Sequence, residues 1–179
     1  MSKKNENQCV LLNKEIQKKF GDIRLSVELV PRTCWFSNVR SNVRQSEWDK
    51  LRKASYGKAN NVCEICGKRG EKHPVECHEI WLYDDKRFTQ TLKGLISLCP
   101  NCHEVKHIGL TSLRGRGEGA KMHLEKTNGW TSEKTEQYLN LIKSIWEERS
   151  KHEWNLNLEW LTNEGIGIKP KRQTLQART

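Results

Sequence analysis

The sequence predicts an α+β fold in which helices at both ends flank a short β-rich segment dense in cysteine and histidine. Three observations carry this expectation. Two Cys-x-x-Cys pairs, Cys63/Cys66 and Cys99/Cys102, bracket two short apolar runs. The stretch after Thr131 carries a long apolar stripe at helical spacing. Only 35% of the 179 residues are hydrophobic and 30% are charged, so the core is thin and a structural metal is one way to staple it.

Taken in order, residues 6–20 (ENQCVLLNKEIQKKF) have helix-forming composition, ended by Gly21. RLSVELVP (24–31) alternates Leu25, Val27 and Leu29 with polar residues and predicts a half-buried strand stopped by Pro31. SEWDKLRKASYG (46–57) predicts a helix capped by Ser46, with Trp48 and Leu51 on one face and Gly57 closing it. PVECHEIWLYDD and LKGLISLC are the two β-type runs, and CHEVKH opens a helix after the second pair. SLRGRGEGAK (112–121), rich in glycine and basic residues, predicts a loop, and AKMHLEKTNG a short helix ended by Gly129. From Thr131 to Trp154 the chain predicts its clearest helix, with Tyr138, Leu141, Ile142, Ile145 and Trp146 as core, followed by further core residues Trp154, Leu158 and Leu161. Trp35, Trp48 and Trp81 are also expected in the core, and Asp84 and Asp85 in a turn. This divides the chain into an N-terminal helix–strand–helix flank (1–58), a metal module (59–110), a basic loop with C-terminal helices (111–164) and a basic tail expected to be disordered (165–179).

Lys plus Arg is 32 against 22 for Asp plus Glu, a formal charge of +10. That excess suits a polyanion, because each phosphate contact releases condensed counterions. Nucleic acid is the expected partner, DNA before RNA, gripped by Arg114, Arg116, Lys106 and the tail lysines. No stretch approaches the roughly 20 apolar residues of a membrane span. The start, MSKKNENQ, is polar, with no signal peptide expected, so the reading is cytoplasmic. Thiols stay reduced there, and paired cysteines bind metal more often than they form disulfides.

CEIC (63–66) and CPNC (99–102) offer four thiolates, the closed tetrahedral shell of structural zinc, with Gly67 suited to the knuckle turn. A closed shell leaves no open position for catalysis. His103 and His107 are then left over, and at i and i+4 they lie on one helix face. A third ligand is needed for a second site, and His78 in VECHEIW is the candidate. Cys77 is expected to pack as a small apolar residue, and His73 to be a bystander.

CEICG, VECHEIWLYDD and LISLCPNCHEVKHIG resemble the zinc-containing HNH endonucleases over roughly residues 60–109. The resemblance implies a ββα-metal fold, with a hairpin and a helix clasping one divalent ion and a separate zinc tying the ends. In that family two adjacent residues end the first hairpin strand, a metal ligand and then a histidine base. Aligned on Ile80, the pair is His78 and Glu79, making His78 a ligand beside His103 and His107 and Glu79 the base. Shifted by one, His78 becomes the base, with Glu79 or Cys77 as ligand. The family's middle asparagine falls near Gly94.

Phosphodiester hydrolysis needs a deprotonated water and a cation on the leaving oxyanion. Three histidines around one ion suit zinc, nickel or manganese more than bare magnesium. The leading expectation is therefore a metal-dependent endonuclease with Zn2+ in the structural site and a second divalent metal, Zn2+, Ni2+, Mn2+ or Mg2+. Its rivals are a zinc-stapled nucleic-acid-binding protein that lost the chemistry, and an interaction module docking a partner through helix 131–152. The oligomeric state is left open.

Overall fold

A computed structural model of the protein describes residues 14–169. Cys9, the start of the helix expected over 6–20, and the tail from 170 onward lie outside the described residues. Those residues form an α+β fold with eight α-helices and one three-stranded sheet. The helices are α1 (Lys14–Phe20), α2 (Val39–Asn42), α3 (Gln45–Lys58), α4 (Pro100–Lys106), α5 (Ile108–Leu113), α6 (Gly117–Asn128), α7 (Ser132–Arg149) and α8 (Glu159–Asn163). The strands are β1 (Glu76–Asp84), β2 (Thr89–Leu98) and β3 (Asn155–Asn157), in the order β1-β2-β3.

The hairpin β1–β2 is the wall between two cores. It is antiparallel, pairing Glu76 with Leu98, His78 with Ile96 and Ile80 with Gly94, with a register shift between Ile80 and Trp81. Gly94 lies at the bulge with φ +153°, a conformation L side chains rarely adopt. On one side Leu98 joins α1, the segment 23–29, α4, α6 and α7 in a core that includes Tyr138 and Leu124, both fully buried. On the other, Trp81 and Leu92 pack with Val39, Val43, Leu51, Leu158 and Leu161. Residues before 58 and after 111 thus contribute to both cores. No described helix is long and apolar enough to cross a membrane.

The helix ends follow local chemistry. Thr131 caps α7, its side chain accepting from the Lys134 N–H, and Gly129 closes α6 at φ +65°. α7 ends at Arg149, short of the expected Trp154. The buried Arg149 guanidinium there takes both Asp85 carboxylate oxygens, at 2.6 and 2.8 Å, and lies 4.6 Å from the Tyr83 ring centre. That bidentate pair ties the hairpin tip to the end of α7. Asp84 accepts from the Lys86 and Arg87 N–H groups, as the expected turn requires.

Several expectations are corrected. Residues 24–31 do not form a strand, although Leu25, Val27 and Leu29 are buried as the alternation requires. Side chains stand in for the missing neighbouring strand. The Asn128 amide oxygen accepts from the N–H groups of Arg24 and Leu25, at 2.9 and 3.0 Å, and its NH2 donates to the Leu25 carbonyl at 2.8 Å. The Tyr138 hydroxyl accepts from the Val27 N–H at 3.1 Å. The glycine-rich stretch 112–121 is not a loop but a tight turn at 114–116 between two helices. A Cβ on Gly117 would come within 2.6 Å of Ser112 Oγ, so this glycine permits the close approach of α5 and α6. Ser46 lies inside α3, which starts at Gln45 with no side-chain cap. Gly57 is also internal, and the chain leaves α3 through the positive-φ pair Asn60 and Asn61. Trp35 is not core; it is 52% exposed.

Asn128 satisfies three backbone groups of a segment that has no ladder of its own. Asn128→Ala is expected to cost about 2 kcal/mol and to lower the melting temperature by about 4–8 °C in thermal unfolding.

Candidate metal centres

Two groups of ligand-type side chains converge beside the hairpin. In the first, Cys63, Cys66, Cys99 and Cys102 bring one sulfur each to within 4.8 Å of one another. The Cys66 and Cys99 sulfurs are 3.6 Å apart, close to the edge of a tetrahedron with bonds of about 2.3 Å. The first knuckle turns because Gly67, at φ +74°, donates its N–H to the Cys63 carbonyl. The second opens α4: Cys99 is its N-cap, Pro100 its first residue, and the His103 N–H bonds back to the Cys99 carbonyl. Hydrogen bonds from the Cys102 and Cys99 thiols hold Cys63 well below the ordinary thiol range, while the same bond pushes Cys102 far above it. Four sulfurs this close cannot all ionise without a cation among them, and a divalent ion would supply that charge, so the donor set fits a structural metal.

In the second group, His78, His103 and His107 each bring one ring nitrogen to within 4.8 Å of the others. The ring centres are 4.8–5.3 Å apart. His78 projects from β1, while His103 and His107 face it from one side of α4 and its C-cap. Burial, and then the charge of Lys106, holds His78 well below its ordinary pKa. Burial also takes His107 down to about 4. Both are therefore neutral at pH 7, the form in which imidazole binds metal.

Two carboxylates lie against ring nitrogens of this trio. Glu76 bonds His103 Nδ1, and Glu28 lies 3.5 Å from His78 Nε2. The bond to His103 holds the Glu76 carboxyl below its usual range, and an ionised carboxylate only accepts, so it draws the His103 proton to Nδ1 and leaves Nε2 its lone pair. Such outer carboxylates orient metal-binding imidazoles. Glu76 and His78 are two residues apart on one strand, so they share a face, a signal present in the sequence. Glu28 comes from the extended segment fifty residues away and carries no such signal. Burial raises its carboxyl to about 7. His123, also missed, reaches from α6 to put Nε2 3.1 Å from the Cys102 sulfur; an isolated histidine on a helix gives no spacing to read.

Glu79 points to the other side of β1, where its Oε1 accepts from the Val39 N–H at 2.7 Å. Burial raises its carboxyl above the usual range. Cys77, on the same side, is pushed up to about 12 by burial and is an unreactive thiol. Lys106 is a correction: it is 5% exposed, and its ammonium donates to Ser26 Oγ at 3.0 Å inside the protein. A buried ammonium bonded inside the fold is not presented to a phosphate backbone. Arg114 and Arg116 are exposed, and Arg116 pairs with Glu104 at 2.6 Å.

No family model, curated protein or solved structure matches this chain. The chemistry therefore rests on the two clusters themselves.

Metal analysis of the purified protein is expected to find one zinc held by the four cysteines. Cys66→Ser leaves an open shell, and because metal binding is folding free energy here, that variant should lose the zinc and unfold or aggregate. Glu76→Ala is expected to weaken binding of a second ion about tenfold, measured by competition against a chelator, with the zinc content unchanged.

Proposed function

We propose that the protein is a metal-dependent phosphodiesterase acting on nucleic acid, of the HNH type, with DNA the preferred substrate. The observation that carries this reading is the convergence of His78, His103 and His107 beside, but separate from, a complete four-cysteine shell. The β1–β2 hairpin followed directly by α4, with the trio between them, supports a ββα-metal arrangement. The formal charge of +10 supports a polyanionic substrate.

The three histidines would hold the catalytic ion, and Cys63, Cys66, Cys99 and Cys102 the structural one. The bound ion supplies positive charge that acidifies water and stabilises the leaving oxyanion. Glu76 and Glu28 orient the His103 and His78 rings. The cysteine shell fixes where α4 begins, and with it the aim of His103 and His107. Arg114 and Arg116 stand on the turn beyond the metal helix, where they can meet phosphates. The attacking water's proton has two candidate acceptors: His78, which lies in the trio, and its neighbour Glu79, whose Oε1 is turned to the other side of β1 and anchors the start of α2.

A second reading is favoured by one observation. Glu79 is engaged by the Val39 N–H, and the middle asparagine of the resembled family, which falls near Gly94, is missing. A zinc-stapled nucleic-acid-binding protein without chemistry would look like this.

Incubation with plasmid across Mg2+, Mn2+, Ni2+ and Zn2+ separates the two. His103→Ala is expected to abolish nicking and the exchangeable ion while keeping the structural zinc. Glu79→Gln retains an acceptor for the Val39 N–H, so the fold and the ion should hold, and a fall in cleavage of at least about a hundredfold would assign the proton to Glu79. Full activity in Glu79→Gln would assign the proton to His78. Absence of cleavage by the wild type with every metal would leave the binding protein.

A further inference from the structure

The most exposed aromatic residues of the described chain sit together in one turn. Trp35 is 52% exposed and Phe36 88%. They follow a 3-10 turn, Arg32–Cys34, that is bonded to the end of α7: the Arg32 N–H donates to Ser150 Oγ at 3.2 Å and Thr33 Oγ1 to the His152 carbonyl at 2.9 Å. The Trp35 indole stacks on that of Trp146, with ring centres 6.2 Å apart and planes 16° from parallel. Both indole N–H groups donate to the same acceptor, the Val30 carbonyl, at 3.2 and 2.9 Å. The Arg32 guanidinium lies 4.6 Å from the Trp146 ring centre.

Burying half of Trp35 satisfies its N–H and leaves much of its ring in water. The side chain is held by a hydrogen bond and a stacked neighbour, so its orientation is set before anything binds. A flat aromatic surface with a cation in the same stack suits a nucleobase, because every base has a π-face and the adjoining backbone is anionic. Arg40 and Arg44, both exposed, follow within the same short stretch. Three residues after Phe36, the Val39 N–H is bonded to Glu79 of β1, the strand that carries His78. The turn is thus tied directly to the strand of the histidine trio.

We infer that the Trp35–Phe36 turn is a stacking platform for unpaired bases, so that single-stranded or locally opened nucleic acid is the form the protein grips most tightly. The inference rests on the nucleic-acid reading proposed above and refines its substrate class. A base in a duplex is already stacked on both faces and gains nothing from the indole. An unpaired base adds one layer to a stack that the protein has already built.

Anisotropy of a labelled oligothymidylate about a dozen nucleotides long, compared with a duplex of the same length, tests this on the intact protein. The wild type is expected to bind the single strand more tightly, with quenching of tryptophan emission. Trp35→Leu and Phe36→Ala should each weaken single-strand binding about tenfold and change duplex affinity less than about twofold. Trp35→Leu should also remove much of the quenching. Phe36 is almost wholly exposed, so its variant keeps the test valid if Trp35→Leu fails to fold by circular dichroism. Unchanged single-strand affinity in the folded variants overturns the inference, as does a wild type that binds no oligonucleotide. A concentration-dependent dimer that Phe36→Ala dissociates, with oligonucleotide affinity unmoved, also overturns it and gives the patch to a second copy of the chain. The His103→Ala cleavage assay judges the proposed activity separately, so either can fail alone.

Discussion

The meeting of Cys63 and Cys66 with Cys99 and Cys102 is the constraint on which the rest of the molecule depends, because it joins three things at one point. It closes the loop before β1, it ends β2, and it starts α4. Cys99 is the N-cap and Cys102 lies in the first turn, so a tetrahedral ion there would fix both the position and the rotation of the helix. His103 follows Cys102 immediately, and His107 lies one turn further on. The sulfur cluster therefore sets where two of the three imidazoles point. The third, His78, depends on the strand register that places it opposite Ile96.

Around that frame, polar groups replace regular secondary structure where the chain has none. The segment 23–29 buries its apolar side chains in the main core while its backbone is held by Asn128, Tyr138 and the Lys106 carbonyl. The same segment delivers Glu28 to the histidine trio and Ser26 to the buried Lys106 ammonium. The Lys106 charge acts on both Glu28 and His78, and burial dominates the shift of all three. Ionisable groups so deep are costly to charge unless paired, which supports their having a role beyond stability.

What could be read in the sequence follows from the range of the forces involved. Cys-x-x-Cys spacing, the i and i+4 histidines, the α7 stripe and the Gly129 cap are short-range patterns, and all have direct counterparts in the structure. The alternation of Leu25, Val27 and Leu29 reported burial correctly but not pairing, because what lies beside those residues is decided by side chains more than a hundred positions away. The glycines at 117 and 119 suggested a loop, whereas Gly117 serves the contact between α5 and α6. Glu28 and His123 carry no local pattern, since their partners are set by tertiary packing alone. Lys106 looked like a surface cation because nothing in its neighbourhood signals burial.

The clamp on residues 24–27 has a consequence for biosynthesis. Its partners lie 103 to 111 positions later in the chain, so a ribosome adding about 5–20 residues per second leaves that segment without them for several seconds or more. During that interval Leu25 and Val27 have neither their core nor their hydrogen-bond acceptors, and Leu29 lacks its core. Segment 24–27 is therefore without its clamp while the residues between it and α6 are being made. Its native state becomes reachable only once α6 and most of α7 have left the exit tunnel.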